Sequence, residues 1–159
     1  MAYRVYISHS AEARELGIIY ALATEATKRG LDIYIAERAD TMEPAVVNKN
    51  LRQLQGADCV LIFATTDKLA DWVAGELNAL SGQNGKVVIP IVSPQESSHL
   101  KGLPTPHFLM DWQNPWTTIQ QISDYLQKQK HSKESNEALG WLVLGGLAFL
   151  LLTHGGEGE

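Results

Sequence analysis

The run Cys59-Val60-Leu61-Ile62-Phe63 carries no polar residue at alternate positions. A strand with one wet face would alternate, so a strand built from this run must be covered on both sides. That is the situation of a central strand in a parallel sheet flanked by helices. The neighbouring segments fit this arrangement. Arg4-Val5-Tyr6-Ile7 reads as a first strand, Leu31-Asp32-Ile33-Tyr34-Ile35 as a second, Val87 to Val92 as a fourth and Phe108-Leu109-Met110 as a short fifth. Pro90 lacks an N–H, which predicts an interruption in the pairing of the fourth. Helical patterns lie between these runs. Leu16, Ile19, Ala23 and Ala26 recur at helical spacing before Lys28-Arg29-Gly30, a basic turn with a terminal glycine, and Ser8-His9-Ser10 offers a hydroxyl as the N-cap. Pro44 opens a second helix with Val47, Leu51 and Leu54 as its inner stripe, and Gly56 stops it. A third runs from about Lys68 to Leu80, and Pro115 begins a last one carrying Trp116, Ile119, Ile122 and Leu126. Five strands alternating with helices predict an α/β fold, a doubly wound parallel sheet with right-handed crossovers.

That domain accounts for residues 1–130. Residues 131–137 contain no apolar residue, and read as a linker or a solvated helix extension. Ala138 to Thr153 then contains no charge. As a helix it would be about 24 Å long, slightly short of a hydrocarbon core of about 30 Å. Trp141 and Thr153-His154 suit the two interfaces, and Lys128, Lys130 and Lys133 precede the segment while no Lys or Arg follows it. The positive-inside rule therefore predicts that 138–154 is a membrane anchor in the inner (cytoplasmic) membrane, with the N-terminal domain in the cytoplasm and 155–159 as a short tail. The alternative is an oligomerisation helix, since Gly145-Gly146 would let helices approach closely.

Composition and motifs remove several function classes. With 13 Lys plus Arg against 18 Asp plus Glu the formal charge is −5, which argues against a nucleic-acid partner. The single cysteine, Cys59, has no internal disulfide partner and reads as a buried, inert thiol. No G-x-G-x-x-G follows the first strand, no G-x-x-x-x-G-K-[ST] occurs, and no aspartate pair ends the first strand, so the dinucleotide dehydrogenase, P-loop and receiver readings fall away. His99, His107, His131 and His154 lack metal-ligand spacing, and no metal site is expected.

In a doubly wound sheet ligands bind beyond the carboxyl ends of the strands, which selects Ser8-His9-Ser10, the loop Ala36 to Glu43 and Ala64-Thr65-Thr66-Asp67. The informative residue lies on the third helix. Leu69, Trp72, Val73, Leu77 and Leu80 form one apolar stripe, and Glu76 falls on the same face. A carboxylate there is costly unless paired, hydrogen-bonded or reached by water in a cleft. The bland alternative is a stripe-edge glutamate whose head reaches solvent or an arginine. Trp72 reads first as a packing residue, and His9 and Ser10 as parts of a helix cap.

Three segments together resemble a bacterial Toll/interleukin-1 receptor (TIR) domain. Tyr3-Arg4-Val5-Tyr6-Ile7-Ser8-His9-Ser10 is similar to the family's opening strand, Asp40-Thr41-Met42-Glu43-Pro44 to the end of its BB loop, and Trp72-Val73-Ala74-Gly75-Glu76-Leu77 to its W-x-x-x-E-[IL] helix pattern. Val87 to Val92, apolar with a central proline, is similar to its fourth strand. Ala45, Ala70 and Val73 depart from the family's usual residues. The resemblance implies a flavodoxin-like five-stranded sheet in the order 2-1-3-4-5 over about residues 3–130. It also implies an NAD+ glycohydrolase that cleaves the nicotinamide–ribose bond, with NAD+ as substrate and no cofactor. Glu76 is then the catalytic carboxylate, Trp72 supports its helix, Ser8, His9 and Ser10 make ribose or phosphate contacts, and Arg38 and Asp40 lie on a loop that completes the site of a neighbouring copy. The expected protein is a membrane-tethered homo-oligomer, activated by TIR–TIR assembly in antiviral defence or signalling. A non-catalytic TIR interaction module is the alternative, and a nucleotide-sensing, membrane-disrupting effector a further one.

Overall fold

The computed structural model describes residues 2–65, 71–80, 85–94 and 107–134. Its elements follow the chain as β1 (Arg4–Ser8), α1 (Ala13–Lys28), β2 (Asp32–Ile35), α2 (Pro44–Gln55), β3 (Cys59–Ala64), α3 (Asp71–Leu80), β4 (Val87–Val92), β5 (Phe108–Leu109) and α4 (Pro115–Glu134). The sheet has the order β2-β1-β3-β4-β5, and all neighbours are parallel. The expected architecture is therefore present in the described residues. The anchor expected at 138–154 lies outside them, as do Thr66, Asp67, Lys68, Leu69 and Ala70. Among the described residues no helix is long and apolar enough to cross a membrane.

Strand alternation sorts the core into two layers. Val5, Ile7, Cys59, Leu61, Phe63, Ile89 and Ile91 point to the face covered by Ile19, Leu22 and Ala26 of α1 and Ile119, Ile122 and Leu126 of α4. Tyr6, Val60, Ile62 and Val88 point to the other face, under Leu54 of α2 and Val73, Leu77 and Leu80 of α3. Because β3 and β4 are buried at every position, their uninterrupted apolar sequence is what both layers require. Arg29, at the end of α1, fastens that helix to α4 through Gln120, Gln127 and Asp124. The polar stretch 131–134 continues α4, and Lys133 reaches Asp58 at the foot of β3.

Four local expectations give way to different arrangements. Pairing of β4 with β3 runs unbroken through Pro90, which stands opposite Ile62. In a parallel strand successive residues turn their hydrogen-bonding groups to opposite neighbours. Val87 donates to Asp58 on the β3 side, so Pro90 faces the β5 side, where pairing begins only at Ile91 with Phe108; the missing N–H costs no ladder bond. The N-cap of α1 is Glu12, whose side chain accepts from the Glu15 N–H, and not a serine of the β1 turn. Trp116 is 53 % exposed instead of joining the inner stripe of α4. Val47 is 38 % exposed because it faces a cavity instead of the core, while Asn50 is the buried residue of that turn.

Candidate functional site

Tyr6 and Ser8 are two apart in β1 and so share a face, the α2/α3 side of the sheet. Both hydroxyls donate to Glu76 of α3, Tyr6 Oη to Oε2 at 2.6 Å and Ser8 Oγ to Oε1 at 3.2 Å. Arg38, three residues beyond β2, supplies the remaining donors: its Nη2 bonds Oε1 and also lies 3.2 Å from Oε2. The two side chains are only 4 % and 8 % exposed. A carboxylate has about four acceptor positions, and here two hydroxyls and one guanidinium occupy them all. Pairing makes burial of the charge tolerable, because either partner alone would be a desolvated ion. Burial and the Glu76 charge together push the Tyr6 phenol well above its ordinary range, so Tyr6 remains a donor throughout the working pH range.

The position of Arg38 is built by contacts from both sides of the loop. Ala36 N–H donates to Ile7 O, extending the β1–β2 ladder past its last pair. Asn50 accepts from Glu37 N–H at 3.1 Å and donates to Glu37 O at 3.0 Å, and Tyr34 Oη also donates to Asn50. Arg38 Nε donates to His9 O at 2.9 Å. His9 itself is buried, with Nε2 2.8 Å from Ala36 O and Nδ1 accepting the Ala11 N–H at 2.9 Å. Those partners assign the proton to Nε2 and leave the ring neutral. Burial, opposed by the Ala36 carbonyl and reinforced by Arg38, holds its pKa below 6.5. Ala11 follows with a positive φ of 61°, a conformation disfavoured for any residue with a Cβ, so the turn is held by its bonds and not by local preference.

Glu76 and Arg38 form the polar end of a cavity of about 250 Å³ whose apolar walls include Met42, Val47, Leu51 and Trp72. The guanidinium carbon of Arg38 lies 5.5 Å from the centre of the Trp72 ring, within the range of a cation–π contact. A buried carboxylate beside an aromatic face is a receptor for a planar cation, and in this structure the chain's own arginine occupies it. The cavity is at the small end of ligand pockets, with room for a ring and a sugar but not a whole dinucleotide.

The other sequence-selected residues are distributed differently. Ser10 Oγ donates at 3.1 Å to Glu15, a fully buried carboxylate on the α1 side, so the two serines of the β1 turn serve opposite faces of the sheet. His9 lies behind Arg38 and does not line the cavity, and Asp40 is exposed on the loop outside it. Sequence reasoning passed over Tyr6 and Asn50. Period-two spacing puts Tyr6 on the same face as Ser8, a signal present in the sequence. Nothing local marks Asn50, which is a polar residue at the edge of an apolar stripe. Among the described residues no cluster of three or more His, Cys, Asp or Glu could hold a metal ion.

No family model matches the sequence, and no curated protein matches it. Solved structures are similar in fold. A prokaryotic SEFIR domain is 16 % identical over 79 % of this chain and 92 % of its own, with a TM-score of 0.54. TIR domains of the activated Roq1 resistosome, which directly recognizes the pathogen effector XopQ, are 10 % identical over 99 % of this chain and 86 % of theirs, with a TM-score of 0.51. A 2-desoxiribosyltransferase from Leishmania mexicana is 19 % identical over 56 % of this chain, which spans 63 % of that protein; its TM-score of 0.44 is too low to bear on the fold. At these identities the likeness is one of fold alone, and it describes this chain as a TIR-like α/β domain.

Proposed function

We propose that the domain cleaves the nicotinamide–ribose bond of NAD+, with Glu76 as the catalytic carboxylate. The observation that carries the reading is the receptor just described: a buried carboxylate, paired with a planar cation beside an aromatic ring, at the end of a cavity with room for a nicotinamide riboside. The pyridinium of NAD+ is also a planar cation. In the reaction the bond between ribose C1′ and the pyridinium nitrogen breaks, and its electron pair neutralises the departing nicotinamide. The ribose becomes oxocarbenium-like, and Glu76 stabilises that charge or holds the ribose hydroxyls. Water adds at C1′ and loses a proton, giving ADP-ribose. Tyr6 and Ser8 orient the carboxylate, and Trp72 forms the wall against which the ring lies.

Assembly and tethering complete the proposal. The TIR-like fold suits homotypic packing, and the uncharged segment Ala138 to Thr153, with lysines upstream, suits attachment to the cytoplasmic face of a membrane, where confinement raises the effective concentration for assembly. An antiviral or signalling role fits an enzyme switched on by clustering. The test is NAD+ turnover by purified full-length protein, dispersed in detergent and concentrated on vesicles. Turnover is expected on vesicles and lost by at least about a hundredfold in Glu76→Gln, a loss of the size seen when one transition-state charge contact is removed. Equal turnover by the two proteins refutes the assignment.

A second reading has its own observation. The acceptor positions of Glu76 are filled, as they would be in a purely structural ion pair. On that reading the domain is a scaffold: no assembly state turns over NAD+, and changes at Arg38 or at Pro44, the first residue of α2, abolish self-association.

A further inference from the structure

We infer that Arg38 is an internal stand-in for the substrate's cation, and that it makes the site selective for substrates bringing an anionic diphosphate. The inference rests on the NAD+ reading of the cavity. With Arg38 in place, Glu76 has neither a free acceptor position for a ribose hydroxyl nor an uncompensated charge to offer an oxocarbenium ion. Arg38 must therefore leave before Glu76 can act.

The fold provides somewhere for it to go. Arg38 also borders a second hollow of about 390 Å³, on the other side of the β2 end, lined by His9, Tyr20, Ile35 and Glu37. The backbone just before it is fixed by the Ile7 contact at residue 36 and the Asn50 contacts at residue 37, so the exchange is a movement of the Arg38 side chain. Such a movement breaks the Arg38 bonds to Glu76 and the Nε bond to His9 O and leaves those of Tyr6 and Ser8, so the carboxylate stays oriented while two acceptor positions open.

A guanidinium leaves a buried carboxylate only for a comparable anion. The small cavity holds the nicotinamide riboside end, so the diphosphate emerges at its mouth. There it can compete with Glu76 for Arg38 as a bidentate partner, and the second hollow is the space into which the side chain can swing as the two part. A nicotinamide riboside without phosphate has the right cation and no means of moving the arginine.

The experiment uses the full chain and measures binding and turnover separately. Calorimetric titrations compare ADP-ribose with nicotinamide riboside, on wild type and on Arg38→Gln, which is neutral and too short to span both oxygens. Wild type is expected to bind ADP-ribose and to bind the riboside at least about tenfold more weakly. In Arg38→Gln the riboside should gain about tenfold, the equivalent of one hydrogen bond to a charged group, and ADP-ribose should lose a similar factor. If Arg38→Gln does not fold by circular dichroism, Arg38→Lys, which keeps the charge on one nitrogen and lacks the planar fork, should move both affinities in the same directions by a smaller factor. Equal riboside binding by wild type and variant overturns the inference, and so does the absence of binding by either ligand. Turnover separates the two claims. The expected binding pattern without NAD+ cleavage leaves the arginine gate standing and removes the glycohydrolase reading. Cleavage with unchanged selectivity in the variant does the reverse.

Discussion

Glu15 and Glu76 are both buried carboxylates near the carboxyl ends of the strands, and they sit on opposite faces of one sheet. Glu15 is held, among the described residues, by neutral donors: Ser10 Oγ and the N–H and hydroxyl of Thr65. These bonds tie the first turn of α1 to the end of β3. Glu76 shares two hydroxyl donors with a cation and borders a cavity. Burial alone therefore does not mark a reactive carboxylate. What distinguishes Glu76 is a charged partner that another cation can replace and a space from which to replace it. Glu15 has the bonding of a fastener.

The comparison is tested hardest by unmaking the ion pair. Glu76→Ala leaves Arg38 buried without its partner, and Arg38→Ala does the same to Glu76. Each is expected to lower the unfolding free energy by about 3–5 kcal/mol. The double variant should lose much less than the sum, because no unpaired ion remains. Urea denaturation of the four proteins measures the coupling. Additive losses would mean that the two side chains are not a unit, and the contrast with Glu15 would fail.

Removing Glu15 should cost less. Glu15→Ala strands the Thr65 N–H and two hydroxyls but no cation, and the expected loss is about 1–3 kcal/mol. Turnover per folded molecule should not change, since Glu15 lies across the sheet from the cavity. A fall in turnover comparable with that of Glu76→Gln would show that the two carboxylates act together.

The scaffold of this comparison was legible from the sequence, and its wiring was not. Strand positions and the cover on both faces of the sheet follow from uninterrupted or alternating apolar runs, which are local patterns, whereas the strand order follows from the family resemblance and not from those runs. Glu76 stood out because it interrupts such a pattern. Its partners could not be read the same way: Tyr6 lies 70 positions away, Ser8 68 and Arg38 38, and periodicity within one helix says nothing about what the sheet brings opposite it. The same limit explains Val47 and Trp116. A helical stripe indicates which residues share a face, while burial depends on whether another element covers that face along its whole length. Ser8 and Ser10 look equivalent in the motif, but the β1 strand ends between them, and the turn at His9 and Ala11 sends their hydroxyls to different carboxylates.

That turn supplies the smallest of the expected effects and the one that sharpens the comparison most. His9 is neutral in the fold because burial, with Arg38 nearby, holds its pKa below the 6.5 of an unfolded chain. Above 6.5 both states are neutral and the His9 contribution to stability is complete. As the pH falls below that value the unfolded chain takes up a proton more readily than the folded one, and stability is lost until the folded ring also protonates. His9→Gln can keep a donor to Ala36 O without titrating. Between about pH 7 and about pH 5, wild type should therefore lose more thermal stability than His9→Gln, on top of the slope both share from other groups. Protonation of His9 also removes the acceptor for Ala11 N–H and places a second cation beside Arg38, whose Nε is bonded to the His9 carbonyl. Acid strong enough to protonate the folded ring should then loosen Arg38 from its backbone anchor while leaving the Ser10–Glu15 bond in place. Amide exchange at Ala11 and at Thr65 separates the two: faster exchange at Ala11 alone is the expected result, and equal acceleration at both would mean that the turn opens as one piece and that the two carboxylates are not independently held.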